Sequence, residues 1–325
     1  MTFPRKLVVI PLVLSAVHAW AEDRSSRFDS FFNPGNSAAY VVAVEPPIDG
    51  GPRTVNQAAR GSLLVSKNDR DTWSVTGRAD HFQLSDSPAL PGTGARFPDS
   101  LWDLQGGVAY IHKLGERRQW GVTGGVGSAS DHPFRSIHET EIQTTASYIK
   151  PSGGNNSWVF LLSYSNNRSF ANGIPLPGFA YVLRDPDKRY QVTVGFPFIT
   201  ANVKPDDNWE ARASLFGPTS QSAEVSRRVG GPVRAYAGFD HGAQSWFRAN
   251  RDDNSRRLIY DEEKVVAGLR ASAGPALIDF SGGRTFGRRL FEAKDVRSAD
   301  TAKVHLEKGW ILALSLSGRF GAGKS

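Results

Sequence analysis

The sequence predicts an all-β fold, a closed antiparallel transmembrane β-barrel of about 12 to 16 strands that follows an N-terminal signal peptide. Three observations support this: apolar and polar residues alternate with period two, short and long links alternate, and aromatic residues recur just after the short links. The 325 residues include 39% hydrophobic residues and 33 glycines, which argues against a helical membrane protein and against a disordered chain. With no cysteine, the chain has no disulfide, no thiolate nucleophile and no Cys-ligated metal.

The first 21 residues have the three parts of a secretory signal peptide. A basic start with Arg5 and Lys6 precedes an apolar run over 7–17, and Ala19-Trp20-Ala21 supplies a small-x-small cleavage pattern. The apolar run is too short to span a bilayer as a helix. We therefore expect residues 1–21 to be removed on export, with a weaker alternative cleavage site after Ala19.

Apolar residues alternate with polar ones in the later segments, which is the period of a strand with two different faces. In the last segment Trp310, Leu312, Leu314 and Leu316 share one face, and Ser315 and Ser317 lie on the other. Similar alternation marks 119–126, 190–196, 208–216 and 233–241, whereas 158–165 has a mixed second face. We expect the apolar faces to contact lipid and the polar faces to line the interior.

The links between strands alternate in length, which is typical of short periplasmic turns and longer external loops. The short links lie near 67–70, 114–117, 151–156, 184–187, 204–207, 229–232 and 273–275. The external links near 85–100, 129–137, 168–176, 248–255 and 291–306 are longer, with tight exceptions near Pro197 and Pro218. A first strand at 39–44 gives a count of 16, and an even count places both termini on the periplasmic side. The predicted organisation is a periplasmic segment over 22–37, a barrel over 38–320 and a short tail over 321–325.

Aromatic residues recur within a few positions of the short turns, where a barrel wall meets the periplasmic membrane interface. An aromatic ring with an N–H or O–H suits this depth because its body is apolar while its polar atom stays hydrated. The predicted interface residues are Trp73, Trp120, Trp158, Tyr190 and Trp209. Phe320 stands where the assembly machinery reads a C-terminal aromatic residue, although five residues follow it.

Charged residues of both signs fall on the faces predicted to point inward, so ladders of paired charge across the wall are expected. The lumen-facing candidates are Glu210, Arg212, Glu224, Arg228, Arg234, Asp240, Lys264, Arg270 and Asp279. For any single one of them, a structural wall contact is the favoured interpretation. The formal net charge of +7 is mild and scattered and does not indicate nucleic-acid binding.

The stretch over 177–247 carries a set of recognisable elements. Pro177-Gly178-Phe179 leads to Tyr181, Gly195-Phe196-Pro197 breaks a strand, Lys204-Pro205-Asp206 leads to Trp209, and Tyr236 to Asp240 form a strand. In this combination the chain resembles the uncharacterised outer-membrane β-barrel family called domain of unknown function 6268. The resemblance implies a single outer-membrane barrel and implies no reaction or catalytic residues.

The leading functional prediction is a non-enzymatic outer-membrane barrel, either a porin-like channel for small polar solutes or a structural barrel. It needs no cofactor or metal, and its expected partners are outer-membrane lipid and lipopolysaccharide, the barrel-assembly machinery and periplasmic chaperones. Arg251, Arg256 and Arg257 form an external loop that could contact lipopolysaccharide phosphate. One alternative is a barrel-embedded hydrolase or lipid-modifying enzyme with rim residues His241 and Asp252. Another is an exported soluble β-protein that binds carbohydrate or cell surface.

Overall fold

The computed structural model describes residues 35–48, 50–91, 94–115, 117–217, 219–298 and 302–320. The predicted signal peptide and the tail after Phe320 lie outside the described residues. The first half of the barrel consists of β1 (Asn36–Glu45), β2 (Thr54–Lys67), β3 (Asp71–Leu84), β4 (Ser100–Gly115), β5 (Arg118–Ser130), β6 (Thr140–Pro151), β7 (Ser157–Ser165) and β8 (Leu176–Arg184). The second half consists of β9 (Tyr190–Phe196), β10 (Phe198–Val203), β11 (Trp209–Phe216), β12 (Ser220–Gly230), β13 (Val233–Trp246), β14 (Arg257–Ala273), β15 (Ala276–Ala293), β16 (Val304–His305) and β17 (Gly309–Phe320).

The strands form one closed antiparallel sheet. Each strand pairs with the next along the chain, and β1 pairs with both β2 and β17, so the ring has no free edge in the described part of the chain. Sixteen of the described strands make the ring. The two-residue β16 is not counted separately, because it pairs with the external end of β15 and continues the position that β17 holds beside that strand. The predicted barrel and the count of 16 are confirmed, and Phe196-Pro197, a cis peptide bond, separates β9 from β10.

Both described ends of the chain lie at the same end of the barrel. Asn36 in β1 is paired with Phe320 in β17, at the end that carries the short turns. The long links lie at the opposite, external end, including a single turn of 3₁₀ helix at Ile137–Glu139 between β5 and β6. No described helix is long and apolar enough to cross a membrane.

Large apolar side chains cover the outer face of the ring. Leu312 and Leu314 are 54% and 51% exposed, whereas their neighbour Ile311 is only 3% exposed on the inner face. Trp120 and Val122 are likewise exposed. A soluble protein would bury such a surface, but lipid covers it in a membrane barrel. Together with ring closure, which satisfies every strand edge, this outer belt makes the protein an outer-membrane barrel and excludes the soluble alternative.

The wall of the barrel differs in height around the ring. Strands β2–β5 and β13–β15 have between 13 and 18 residues, whereas β9, β10 and β11 have 7, 6 and 8. The short strands follow from the sequence, since Pro197 breaks the chain after seven residues and Gly217 adopts a positive φ of 52° immediately after Phe216. We call β9–β11 the low wall.

Candidate functional site in the barrel lumen

A ladder of paired charges crosses the inner face of β12–β15. The Arg270 guanidinium binds both carboxylate oxygens of Glu224, at 3.1 and 2.9 Å, and its Nε lies 3.2 Å from Asp279 Oδ2. The Tyr236 hydroxyl donates to Asp279 Oδ1 at 2.8 Å, and the Arg270 guanidinium lies over its ring. Bidentate pairing of this kind is among the stronger charge-assisted contacts. It fixes the side chains against the wall.

A second group of charges lies nearer the periplasmic end. Glu210 is 6% exposed and accepts from Arg212 at about 3.0 Å, with Lys204 at 3.5 Å and Arg234 at 3.9 Å. Arg228, the fourth predicted lumen residue of this region, is exposed beside them. A cavity of about 660 Å³ opens here and is lined by the turns over 187–189 and 204–207 together with Glu210, Arg228 and Arg234. This cavity is the periplasmic vestibule.

A buried polar cluster occupies the interior toward the external end. Arg288, which is 1% exposed, donates to the Tyr260 hydroxyl at 3.1 Å and to Thr54 Oγ1 at 3.0 Å, and it lies 3.5 Å from Glu45. The cluster continues through Glu262 to Lys264, whose ammonium lies 2.9 Å from Glu262 and 3.9 Å from Asp240. Charges this deep are stable only when each is paired and hydrogen-bonded. We call this group, made by β1, β2 and β13–β15, the central polar cluster.

The opposite wall carries a ladder that sequence reasoning missed. Asp80 lies 2.9 Å from the Arg60 guanidinium and 2.7 Å from Arg78 Nε, and Arg78 also bonds Asp103. The sequence contains the signal for this ladder, because Arg78 and Asp80 are alternate residues of β3 on the face opposite Trp73. The predicted lumen residues all lie in the C-terminal half and do not include them. Charged ladders therefore lie on two different sides of the lumen.

The external half of the lumen is filled by an infolded loop. The β3–β4 link doubles back through the backbone bonds Leu90 N–Ala95 O (2.7 Å) and Phe97 N–Pro88 O (2.9 Å). Leu90 and Phe97 are 2% and 1% exposed. They belong to an apolar cluster with Phe82, Leu84, Leu101, Ala129, Trp246, Leu258, Tyr260 and Leu290. We call the described residues of this link, 85–91 and 94–99, the plug loop.

The β13–β14 link then crosses the external mouth to the far wall. Phe247 N donates to Ala129 O and Ala249 N donates to Asp131 Oδ1, both at 2.7 Å. Arg251 reaches the carbonyl of His138 at 2.6 Å and lies 3.8 Å from Glu139. Burial lowers the pKa of the Arg251 guanidinium, and Glu139 opposes the shift. We call residues 247–256 the lid.

The lid bears on the suggestion that Arg251, Arg256 and Arg257 could contact lipopolysaccharide phosphate. The side chains of Arg251 and Arg257 are buried in contacts with this chain, and Arg257 donates to the carbonyls of Ser255 and Asn166. Arg256 donates to the carbonyl of Glu292 at 2.9 Å. A buried guanidinium whose N–H groups already donate to carbonyl oxygens is not exposed to bind a phosphate. These arginines hold the lid to the external ends of the strands.

The histidine of the hydrolase alternative does not meet the predicted partner. Asp240 and His241 point to opposite faces, as expected for adjacent strand residues, and His241 Nε2 bonds Asp261 Oδ1 at 2.8 Å. Asp261 also binds Arg289. Asp252 lies exposed in the lid instead. Among the described residues no three His, Asp or Glu side chains form a group able to hold a metal ion.

The five predicted interface aromatics lie on the outer face with between 36% and 45% of their surface exposed. Two of them pack with a tyrosine, since the Tyr110 ring lies 4.4 Å from Trp73 and 5.2 Å from Trp120 between ring centroids. Trp158 packs similarly with Tyr181 at 4.8 Å. Phe320 ends β17 and is 39% exposed.

The sequence matches no protein-family profile and no curated protein. Solved outer-membrane barrels are similar in architecture at low identity. The COG4313 outer membrane channel from Pseudomonas putida F1 aligns over 96% of this chain and 100% of its own, with 11% identity and a TM-score of 0.36. OmpT of Vibrio cholerae, in a trimer form, aligns over 88% and 98% with 9% identity and a TM-score of 0.32. The TodX monoaromatic hydrocarbon channel aligns over 90% and 92% with 10% identity and a TM-score of 0.34.

Proposed function

We propose that this protein is a non-enzymatic outer-membrane channel for small polar solutes, closed at its external mouth by the plug loop and the lid. The observation that carries the proposal is the division of the lumen along its axis. The periplasmic half has charged walls and a cavity of about 660 Å³, whereas the external half is filled by a loop that folds in from outside. A purely structural barrel needs no charged inner walls, because apolar side chains would fill it at lower cost.

The plug is a separate element that can leave without breaking the ring. Its apolar contacts come from a 15-residue link, and the strands around it keep their own ladder bonds. Apolar packing of two side chains is worth a few kcal/mol, a range that thermal opening or a ligand can reach. The mixed signs of the ladders favour small polar solutes over purely apolar ones.

We also propose that the chain belongs to the family called domain of unknown function 6268. Its proposed partners are lipopolysaccharide, the assembly machinery and periplasmic chaperones. Phe320 supports a role in assembly because it ends the strand that closes the ring.

Conductance in planar bilayers tests the channel. The double variant Leu90→Asp with Phe97→Asp introduces two charges into the apolar cluster and should expel the plug loop. The matched control is Phe134→Asp with Ile137→Asp, which alters two apolar residues of another external link that are already 62% and 80% exposed. We expect rare, brief openings in the unmodified protein and the control, and sustained conductance severalfold higher in the plug variant.

Two outcomes overturn parts of the proposal. If no variant conducts while all remain heat-modifiable on gels, the barrel is structural. If the unmodified protein and the plug variant conduct equally, the protein is a channel but the plug loop does not close it.

A further inference from the structure

The low wall is too short to cover the hydrocarbon core of a membrane. A tilted transmembrane strand needs about 9–11 residues, and the apolar band of outer-membrane barrels is about 25 Å tall. β9, β10 and β11 have 7, 6 and 8 residues. At about 3.3 Å per residue and a tilt of about 45° they rise only about 14–19 Å. Tyr190 and Trp209 begin β9 and β11 at the periplasmic side, so the deficit falls on the external leaflet.

The outer surface of this region also differs from the rest of the belt. Its central side chains are small, and they form a shallow, largely apolar concavity of about 310 Å³ lined by Ala201, Val203, Ala211, Ala213, Ala223, Val225 and Ala237, with Arg212 and Glu224 also in the lining. Larger side chains flank it, with Phe196 and Leu215 49% and 39% exposed at the external rim. Small side chains let another protein surface approach closely within a bilayer, where packing rather than the hydrophobic effect drives association.

The size of this surface suits a second barrel. The low wall together with its flanking strands β8, β12 and β13 makes six strands, which at about 4.8 Å spacing are about 29 Å wide, and seven residues of strand are about 23 Å long. Each copy therefore offers roughly 660 Å², and two copies bury about 1,300 Å², above the roughly 1,000 Å² expected of a specific interface. A neighbouring barrel would also cover the part of the hydrocarbon core that the low wall leaves uncovered, which lipid alone covers only by thinning the bilayer.

We propose that the low wall, with the alanine-lined concavity on its outer face, is an interface between copies of this chain in the outer membrane. The partner is a second copy because the exposed side chains of the surface are apolar at the depth of the membrane. The two charged residues that also line the concavity, Arg212 and Glu224, are paired with Glu210 and Arg270 of this chain and leave no charge to select a different protein. This assignment is independent of conductance, since a silent barrel can associate in the same way.

Site-directed cross-linking tests the interface in native membranes. The natural chain has no cysteine, so a single introduced thiol is unique. Ala213→Cys places one in the concavity, and Ala59→Cys places one on the outer face of β2, on the other side of the ring. With a short thiol-specific bifunctional cross-linker, we expect a product of twice the chain mass from Ala213→Cys and none from Ala59→Cys.

Substitution tests the same contact without cross-linking. Ala213→Trp with Ala223→Trp should lower the oligomer fraction of protein extracted in mild detergent at least tenfold, while the heat-modifiable mobility of the folded barrel is unchanged. Sedimentation gives the mass of the unmodified protein. A single-chain mass in mild detergent, equal cross-linking at both positions, or a cross-linked product with another protein would each overturn the second-copy interface.

Discussion

At the scale of single residues, Arg288 is the cation on which the central polar cluster depends. It contacts groups from β1, β2 and β14, including Glu45 and Tyr260, which lie far from it in sequence. The alternation of β15 does not reveal its partners, because a bulge at Asp261/Glu263 changes the register between β14 and β15. The alternation of residues along a strand predicts that a side chain points inward. The contacts it makes there depend on how the strands are arranged in the closed ring.

Replacing Arg288 by methionine should destabilise the folded barrel by about 3–5 kcal/mol, because the buried carboxylate of Glu45 loses its guanidinium partner, whereas Glu262 keeps Lys264. The measurement is urea unfolding from lipid vesicles. Arg319→Met is the control, since Arg319 is exposed at the end of β17. Adding Glu45→Gln to the Arg288 variant should recover part of the loss. Equal urea midpoints of unfolding for the Arg288→Met and Arg319→Met variants would contradict a stabilising role for Arg288.

At the scale of elements, the sequence predicted the strands better than it predicted the links between them and the side-chain clusters inside the barrel. The alternation of apolar and polar residues predicted the barrel and its outer face, because the residues that contact lipid occupy every second position of a strand. It did not predict the plug loop, whose Leu90 and Phe97 are two isolated apolar residues in a polar, proline-containing link. The predicted mixed inner face of β7 divides along the strand: Val159 and Leu161 join an apolar cluster with Phe198 of β10, a contact that alternation alone does not predict.

The glycines of β5 provide an element-scale prediction. A Cβ on Gly127 would lie 2.0 Å from the carbonyl oxygen of Leu104 in the neighbouring strand, whereas one on Gly124 would meet nothing within 4 Å. Gly127→Ala should therefore separate β4 from β5 locally and reduce the yield of folded, heat-modifiable protein. Gly124→Ala should fold like the unmodified chain. If the two variants fold in equal yield, β5 tolerates a side chain at this contact, and the close approach of the strands is not required.

At the scale of the whole molecule, the two ends of the lumen are chemically different. The external mouth is sealed by hydrogen bonds that join parts of the chain more than 100 residues apart. The lid bonds the end of β5 through Phe247 N and Ala129 O, and it bonds the following link through Ala249 N to Asp131 Oδ1 and through Arg251 to the carbonyl of His138. The periplasmic vestibule stays open, and its exposed basic side chains are not all neutralised within it. Glu210 already contacts Arg212, Lys204 and Arg234. Arg228, like Lys188 and Arg189, lines the cavity with an exposed side chain that passing ions can meet.

Charge selectivity should therefore be set at the vestibule. In the plug variant, whose plug loop no longer fills the external half of the lumen, Arg228→Glu reverses one charge where ions enter from the periplasmic side, and the local potential acts on them over about a Debye length. We expect the permeability ratio to shift severalfold toward cations, read as a change of reversal potential in a salt gradient, and to shrink as the salt concentration rises. Arg319→Glu makes the same charge change at the edge of β17 and should leave the ratio unaltered. A shift of equal size in both variants would place selectivity in the overall charge of the barrel rather than in the vestibule.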